Sequence, residues 1–151
     1  AEGEVDLPAM QKLMEAAQGL SVTFHRAFDV CRNPHRALEQ IIKLGCNRIL
    51  TSGQQSTAEQ GIPLLEELQK QAAGRITLLA GCGVNENNIA RIAAETGINE
   101  FHFSARESIQ SEMIFKNEAV SIGGTVHINE YERNVTSIRR VKETIDAALH
   151  G

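Results

Sequence analysis

The sequence has no excess of positive charge, since 15 basic side chains stand against 19 acidic ones for a formal net charge of −4. Nucleic acid and anionic membranes both attract proteins through a positive surface, so neither is an expected partner. Long apolar runs are missing too. Stretches such as Ile76 to Cys82 fall far short of the roughly 20 residues that cross a bilayer. Cys31, Cys46 and Cys82 are odd in number and unpaired by any CxxC spacing, which excludes a disulfide framework and a zinc ribbon. With 3 prolines and 12 glycines, a collagen-like chain is excluded as well. The opening residues Ala1-Glu2-Gly3-Glu4-Val5-Asp6 are acidic and carry no apolar signal region, so a reducing cytoplasm is the expected setting.

What is present suits a globular protein. The 151 residues, 42% hydrophobic and 23% charged, can bury one core and are expected to form a single domain over 1–151. Leu7, Met10, Leu13, Met14 and Ala17 recur at helical spacing after Asp6 and stop at Gly19. Leu20 to His25 is rich in β-branched and aromatic residues and predicts a strand. Asn33-Pro34 opens the next helix and Gly45 closes it, before a strand at Arg48 to Thr51. Ser56 and Glu59 have capping-box spacing ahead of a helix over Pro63 to Ala73, and Arg75 to Ala80 is the third strand. Asn85 or Asn88 caps a helix through Ile89, Ile92 and Ala93, and Glu100 to Ser104 is the fourth strand. A loop of about thirty residues then leads to a final helix through Ile138, Val141, Ile145 and Leu149.

Strand centres near Val22, Ile49, Thr77 and Phe101 lie 27, 28 and 24 residues apart. Strands alternating with helices at that period require a parallel sheet, hence an α/β fold. A doubly wound sheet and a TIM-type (β/α)8 barrel both satisfy the pattern. The chain opens with a helix that no strand precedes and has only four strands, whereas a barrel needs eight and about 250 residues. The expectation is therefore the C-terminal half of a (β/α)8 barrel. It is either part of a longer barrel or a half-barrel that associates into homo-oligomers, because an open parallel sheet leaves edges and an apolar face uncovered.

In parallel folds the loops after the strands' carboxyl ends carry the chemistry. Here they read His25-Arg26-Ala27-Phe28-Asp29, Thr51-Ser52-Gly53-Gln54-Gln55, Gly81-Cys82-Gly83-Val84-Asn85 and His102-Phe103-Ser104-Ala105-Arg106. Such a polar set can line one mouth. His25, Arg26, Asp29 and His102 are the catalytic candidates: His25 as a general base held by Asp29 or as a metal ligand, against an Arg26–Asp29 ion pair that merely braces the loop. His102 is open between a functional and a core histidine. Ser52, Gln54, Gly81, Gly83, Ser104 and Arg106 are the ligand-binding candidates, with the glycines letting backbone N–H groups approach an anion and Arg106 pairing with it. Alternatively, those glycines only permit a tight turn. Cys31 and Cys82 both follow strands and can serve copper, since thiolates suit Cu(I), although an inert cysteine reads equally well. Cys46 precedes a strand, at the opposite face, and Met10 and Met14 read as ordinary core. His35, His127 and His150 are expected at the surface.

Together the strings Val22 to Asp29, Arg48 to Gln55, Ala80 to Val84 and Glu100 to Arg106, with Glu130-Tyr131 later, resemble the CutC copper homeostasis protein family across essentially the whole chain. The resemblance implies a cytoplasmic TIM barrel linked to copper tolerance or trafficking, of which this sequence is the part after the fourth strand. Copper is the cofactor it implies. The alternative is a barrel enzyme acting on a small phosphorylated or carboxylated metabolite, with the Gly81 and Ser104 loops gripping the anion and His25 moving a proton. A third is an interaction role for a half-barrel.

Overall fold

The computed structural model describes residues 2–117, 119, 120, 122, 123, 125 and 128–150. His127, expected at the surface, lies outside them. The elements alternate as α1 (Leu7–Ala16), β1 (Thr23–Phe24), α2 (Pro34–Leu44), β2 (Arg48–Thr51), α3 (Ile62–Ala72), β3 (Thr77–Gly81), α4 (Ile89–Thr96) and β4 (Glu100–His102). A single 3-10 turn, Arg26–Val30, separates β1 from α2. β5 (Arg106–Gln110), β6 (Glu132–Thr136) and α5 (Ile138–His150) follow. No described helix is long and apolar enough to cross a membrane.

Helix boundaries follow the local chemistry. Asp6 Oδ1 accepts from Ala9 N at 3.0 Å to start α1, and Asn33 Oδ1 accepts from Arg36 N at 2.9 Å to start α2 beside Pro34. Gly45 ends α2 at φ 84°, a left-handed position that suits glycine. Helix α3 departs from expectation at its cap. Its extent matches within a residue, but its N-cap is Gly61 with no side-chain cap bond rather than a Ser56–Glu59 box, because residues 52–61 are spent on a loop that folds back on itself.

Strands β1 to β4 form one parallel sheet in chain order. The register sets Phe24 beside Ile49, Ile49 beside Leu78, and Ala80 beside Phe101. Alternate strand residues face opposite sides. Ile49, Leu78 and Ala80 are buried together with Leu38 and Ile41 of α2, Leu65 and Leu68 of α3, and Ile89 and Ile92 of α4. Each such aliphatic side chain contributes about 1.5–3 kcal/mol on burial. The opposite face carries Arg48, Leu50, Thr77 and Leu79, all half-buried, and an Arg48–Glu100 ion pair of 2.6 Å spans it.

The long loop expected before the last helix is replaced in part by an antiparallel pair, β5 with β6, from Arg106 opposite Thr136 to Gln110 opposite Glu132. Ile109 and Val135 alone supply its apolar character, too little alternation for the sequence to announce it. Helix α5 is tied back to the sheet domain by Arg140, whose guanidinium holds Glu86 at 3.0 Å and the Arg106 carbonyl.

Candidate functional site

The loop after β1 is organised around one carboxylate. Asp29 is nearly buried, its side chain 6% exposed, and the 3-10 turn aims it at the end of β2. There it accepts from the Thr51 hydroxyl at 2.5 Å and the backbone N–H groups of Ser52 and Gln54 at 3.1 and 3.2 Å, while the adjacent Ser52 hydroxyl donates to the Gln55 carbonyl at 2.5 Å. Arg26 Nε closes the set at 2.7 Å. Burial pushes Asp29 toward the neutral form, but bonds from Thr51, Arg26, Gln54 and Ser52 outweigh it and hold its carboxyl below the ordinary aspartate value.

Arg26 is thereby fixed at its inner edge, with Nε on Asp29 and Nη2 on Ser52 Oγ at 2.9 Å. The expected bracing pair is real, and Asp29 is not available to hold His25. Instead His25 Nδ1 accepts from Ala27 N at 3.0 Å, capping the 3-10 turn. The Cys82 thiol lies close enough to Arg26 to add to the upward shift that Asp29 chiefly imposes on the guanidinium. The loops after β1, β2 and β3 therefore meet at Arg26.

The second loop is shaped by two glycines, one of them, Gly61, unremarked in the sequence. A Cβ on Gly61 would stand 1.9 Å from the Ser52 carbonyl oxygen, and one on Gly53 2.5 Å from the Gly61 oxygen. Gln54, at φ 58°, donates Nε2 to the Cys31 carbonyl at 2.7 Å, close to its sulfur at 3.5 Å. Thr51, like Gly61, was not singled out as a site residue. Its one signal was its place as the last residue of a predicted strand.

In the third loop Gly83 sits at φ 74° against Thr57, where a Cβ would come within 3.1 Å of Cγ2. The N–H groups of Asn85, Asn87 and Asn88 are spent within the turn, on Asn88 Oδ1, Asn85 Oδ1 and the Asn85 carbonyl. These contacts favour the tight-turn reading of the glycines over a phosphate cradle at α4. His102 ends β4 exposed, not in the core, with Gly81 as its neighbour in register. Ser104 and Arg106 are also exposed, and the Arg106 guanidinium forms no pair among the described residues. His35 and His150 are exposed as expected, and Cys46 is buried against Met14.

The thiols do not form a metal centre with other side chains: no group of three or more His, Cys, Asp or Glu able to hold a metal occurs among the described residues. Burial raises the Cys31 thiol above its ordinary value, and the Cys82 sulfur approaches the Ser56 carbonyl at 3.1 Å. An apolar pocket of about 350 Å³ lies between α1 and the free edge of β1, lined by Met10, Phe24, Phe28 and Val30, and it adjoins the site at His25 and Cys31.

Fold and site define an α/β protein whose parallel strands deliver polar loops to one end of the sheet. A family model described as the CutC family matches residues 1–107. A CutC family protein of Bacteroides thetaiotaomicron is 77% identical over 97% of this chain and 59% of its own length, and one of Chromobacterium violaceum is 43% identical over 98% and 61%. The crystal structure of a CutC protein from Streptococcus agalactiae superposes with a TM-score of 0.65 at 32% identity, covering 68% of this chain and 50% of that one. The chain belongs to the CutC family, and it spans about three-fifths of the length of these curated relatives.

Proposed function

We propose that this chain forms a single domain supplying four units of a TIM-type (β/α)8 barrel, acts in copper homeostasis in the cytoplasm, and holds a small anionic ligand at its mouth. The barrel reading is supported by four sequential parallel strands whose helix-free face is only half-buried and whose outer strands are unpaired among the described residues. Such open edges favour association into homo-oligomers, which sedimentation at micromolar concentration tests. The role follows the family, whose Streptococcus agalactiae member is provisionally named a copper homeostasis protein.

One observation carries the anion reading: Arg26 is locked by Asp29 and Ser52 where three loops meet, and no carboxylate or carbonyl oxygen occupies its outer edge among the described residues. His25, His102 and Arg106 add donors around the same end of the sheet, and Glu100, an acid on that face, is already paired with Arg48. An anion-dependent rise in melting temperature with inorganic phosphate or acetate, lost in Arg26→Gln, is the expected result. No rise with either probe overturns it.

Direct copper binding is the second reading, favoured by the placement of Cys31 against the Gln54 loop and Cys82 beside Arg26. The donor set counts against it, because the Cys31 thiol resists ionisation and Cu(I) seeks thiolate. Anaerobic Cu(I) titration decides: stoichiometric binding lost in Cys31→Ser and Cys82→Ser would reinstate copper as the ligand of the mouth.

A further inference from the structure

One nitrogen of the His25 ring is already committed. A backbone N–H can only donate, so the 3.0 Å bond from Ala27 N to His25 Nδ1 requires a lone pair on Nδ1. In the neutral ring the proton therefore resides on Nε2. That leaves Nε2 as a donor, with no lone pair to take a proton from a substrate or to bind a metal. Moving the proton to Nδ1 would set two donors face to face and strip the 3-10 turn of its cap.

Arg26 shows the same one-sided chemistry. Its Nε and one Nη2 hydrogen are spent on Asp29 and Ser52, the Cys82 thiol lies beside the guanidinium, and no oxygen acceptor faces Nη1 among the described residues. The inner edge is used, and the outer edge, Nη1 with the second Nη2 hydrogen, meets at most the weakly accepting Cys82 thiol. That edge matches two oxygens of one anion. His25 continues β1 in extended conformation, two residues beyond Thr23. By strand alternation it shares the helix-free face with Thr23 and its register partner Arg48.

We propose that His25 and Arg26 serve the mouth only as N–H donors, a pair that recognises a carboxylate or phosphate through its oxygens, and that His25 is neither the base nor a copper ligand. The proposal deepens the anion reading above and rests on it for the ligand, while the state of His25 is measured independently.

Long-range ¹H–¹⁵N NMR of the histidine rings at alkaline pH reads the tautomer directly. The Nε2–H form of His25 is expected, and an Nδ1–H form overturns the donor assignment. Calorimetric titration with inorganic phosphate and with acetate then compares the unmodified chain with His25→Asn and Arg26→Lys. Asparagine retains a cap oxygen for Ala27 N but lacks Nε2–H, and lysine keeps the charge but loses the fork. Each is expected to weaken binding of the preferred anion about tenfold, one charge-assisted bond's worth. Unchanged affinity in His25→Asn overturns the pair. If neither anion binds the unmodified chain, the anion reading itself fails, and an Nε2–H tautomer would still leave Nε2 without a lone pair for proton abstraction or copper.

Discussion

The Thr51 hydroxyl donates to the Asp29 carboxylate across the gap between two successive βα loops, at 2.5 Å and beneath almost complete burial. Thr51 is the last residue of β2, so a rigid strand end and a short 3-10 turn are joined by one short bond. The backbone of Ser52 and Gln54 then wraps the same carboxylate, and Arg26 is held from the other side. Asp29 shapes the mouth without facing it.

Removing that carboxylate leaves several donors unsatisfied at once. Asp29→Ala is expected to destabilise the fold by about 2–4 kcal/mol, because each buried donor without a partner costs about 1–3 kcal/mol and relaxation recovers part of the sum. Urea unfolding checks this. A loss below about 1 kcal/mol would mean that water or neighbouring groups replace Asp29 readily.

The same residue predicts an acid-sensitive fold. Its folded value lies below the ordinary 3.8, so its contribution is complete above the unfolded value and disappears as pH falls through the folded one. Glu39, held by Arg75, drops from 4.5 to about 2 and adds to the same acid limb. Stability should therefore decline as pH falls below roughly 4, and Asp29→Asn should flatten that decline. An unaltered slope between pH 4 and 2 in Asp29→Asn would contradict the assignment. Carboxyl NMR should also show Glu39 titrating near 2.

The parallel sheet was legible because its signals are local and repeated: Asn33-Pro34 and Gly45 bracket α2 as their chemistry requires, and strand spacing declares the topology. The loops' polarity was legible too, down to the Arg26–Asp29 pair. What could not be read was direction. Asp29 turns toward Thr51 rather than His25, a choice made by long-range contacts between β1 and β2 loops. Gly61 carries no signal in the sequence, since its need to touch the Ser52 carbonyl exists only once the loop closes. The β5–β6 pair is not legible because its strands alternate weakly and lie far apart in sequence.

Gly61 supplies a steric test of loop closure. Gly61→Ala would set a methyl group 1.9 Å from the Ser52 carbonyl oxygen, backbone that cannot swing aside. A loss of about 3 kcal/mol or more is expected from thermal or urea unfolding. Gly74→Ala is the control: nothing lies within 4 Å of the added carbon, and only its φ of 74° is unfavourable, for about 1 kcal/mol. Equal effects at the two positions would refute the contact.

Helix α5 packs Thr144 and Ala147 against the domain and adds one partly exposed ion pair across that seam. Arg140 and Glu86 are 26% and 20% exposed and meet in two hydrogen bonds of 3.0 and 3.1 Å, with the Thr144 hydroxyl beside them. Arg140→Ala is expected to cost about 1–2 kcal/mol. Hydrogen exchange should locate the loss in α5 and the β5–β6 pair while α2 and α3 stay protected. Uniform loss of protection across the parallel sheet would show that α5 is integral to the core cooperative unit.

Cys82 poses the sharpest choice between structure and ligand. It occupies φ 80°, a left-handed conformation that costs a side chain about 1–2 kcal/mol and glycine nothing. Against that strain stands the contact of its sulfur with the Ser56 carbonyl and with Arg26. Sulfur is a weak donor, so strain relief should win and Cys82→Gly should raise stability by about 1 kcal/mol in urea unfolding. Anion binding at Arg26 should survive the change, because Asp29 and Ser52 do the positioning. A less stable variant, or one that loses phosphate and acetate binding together, would show that the thiol is a working part of the mouth.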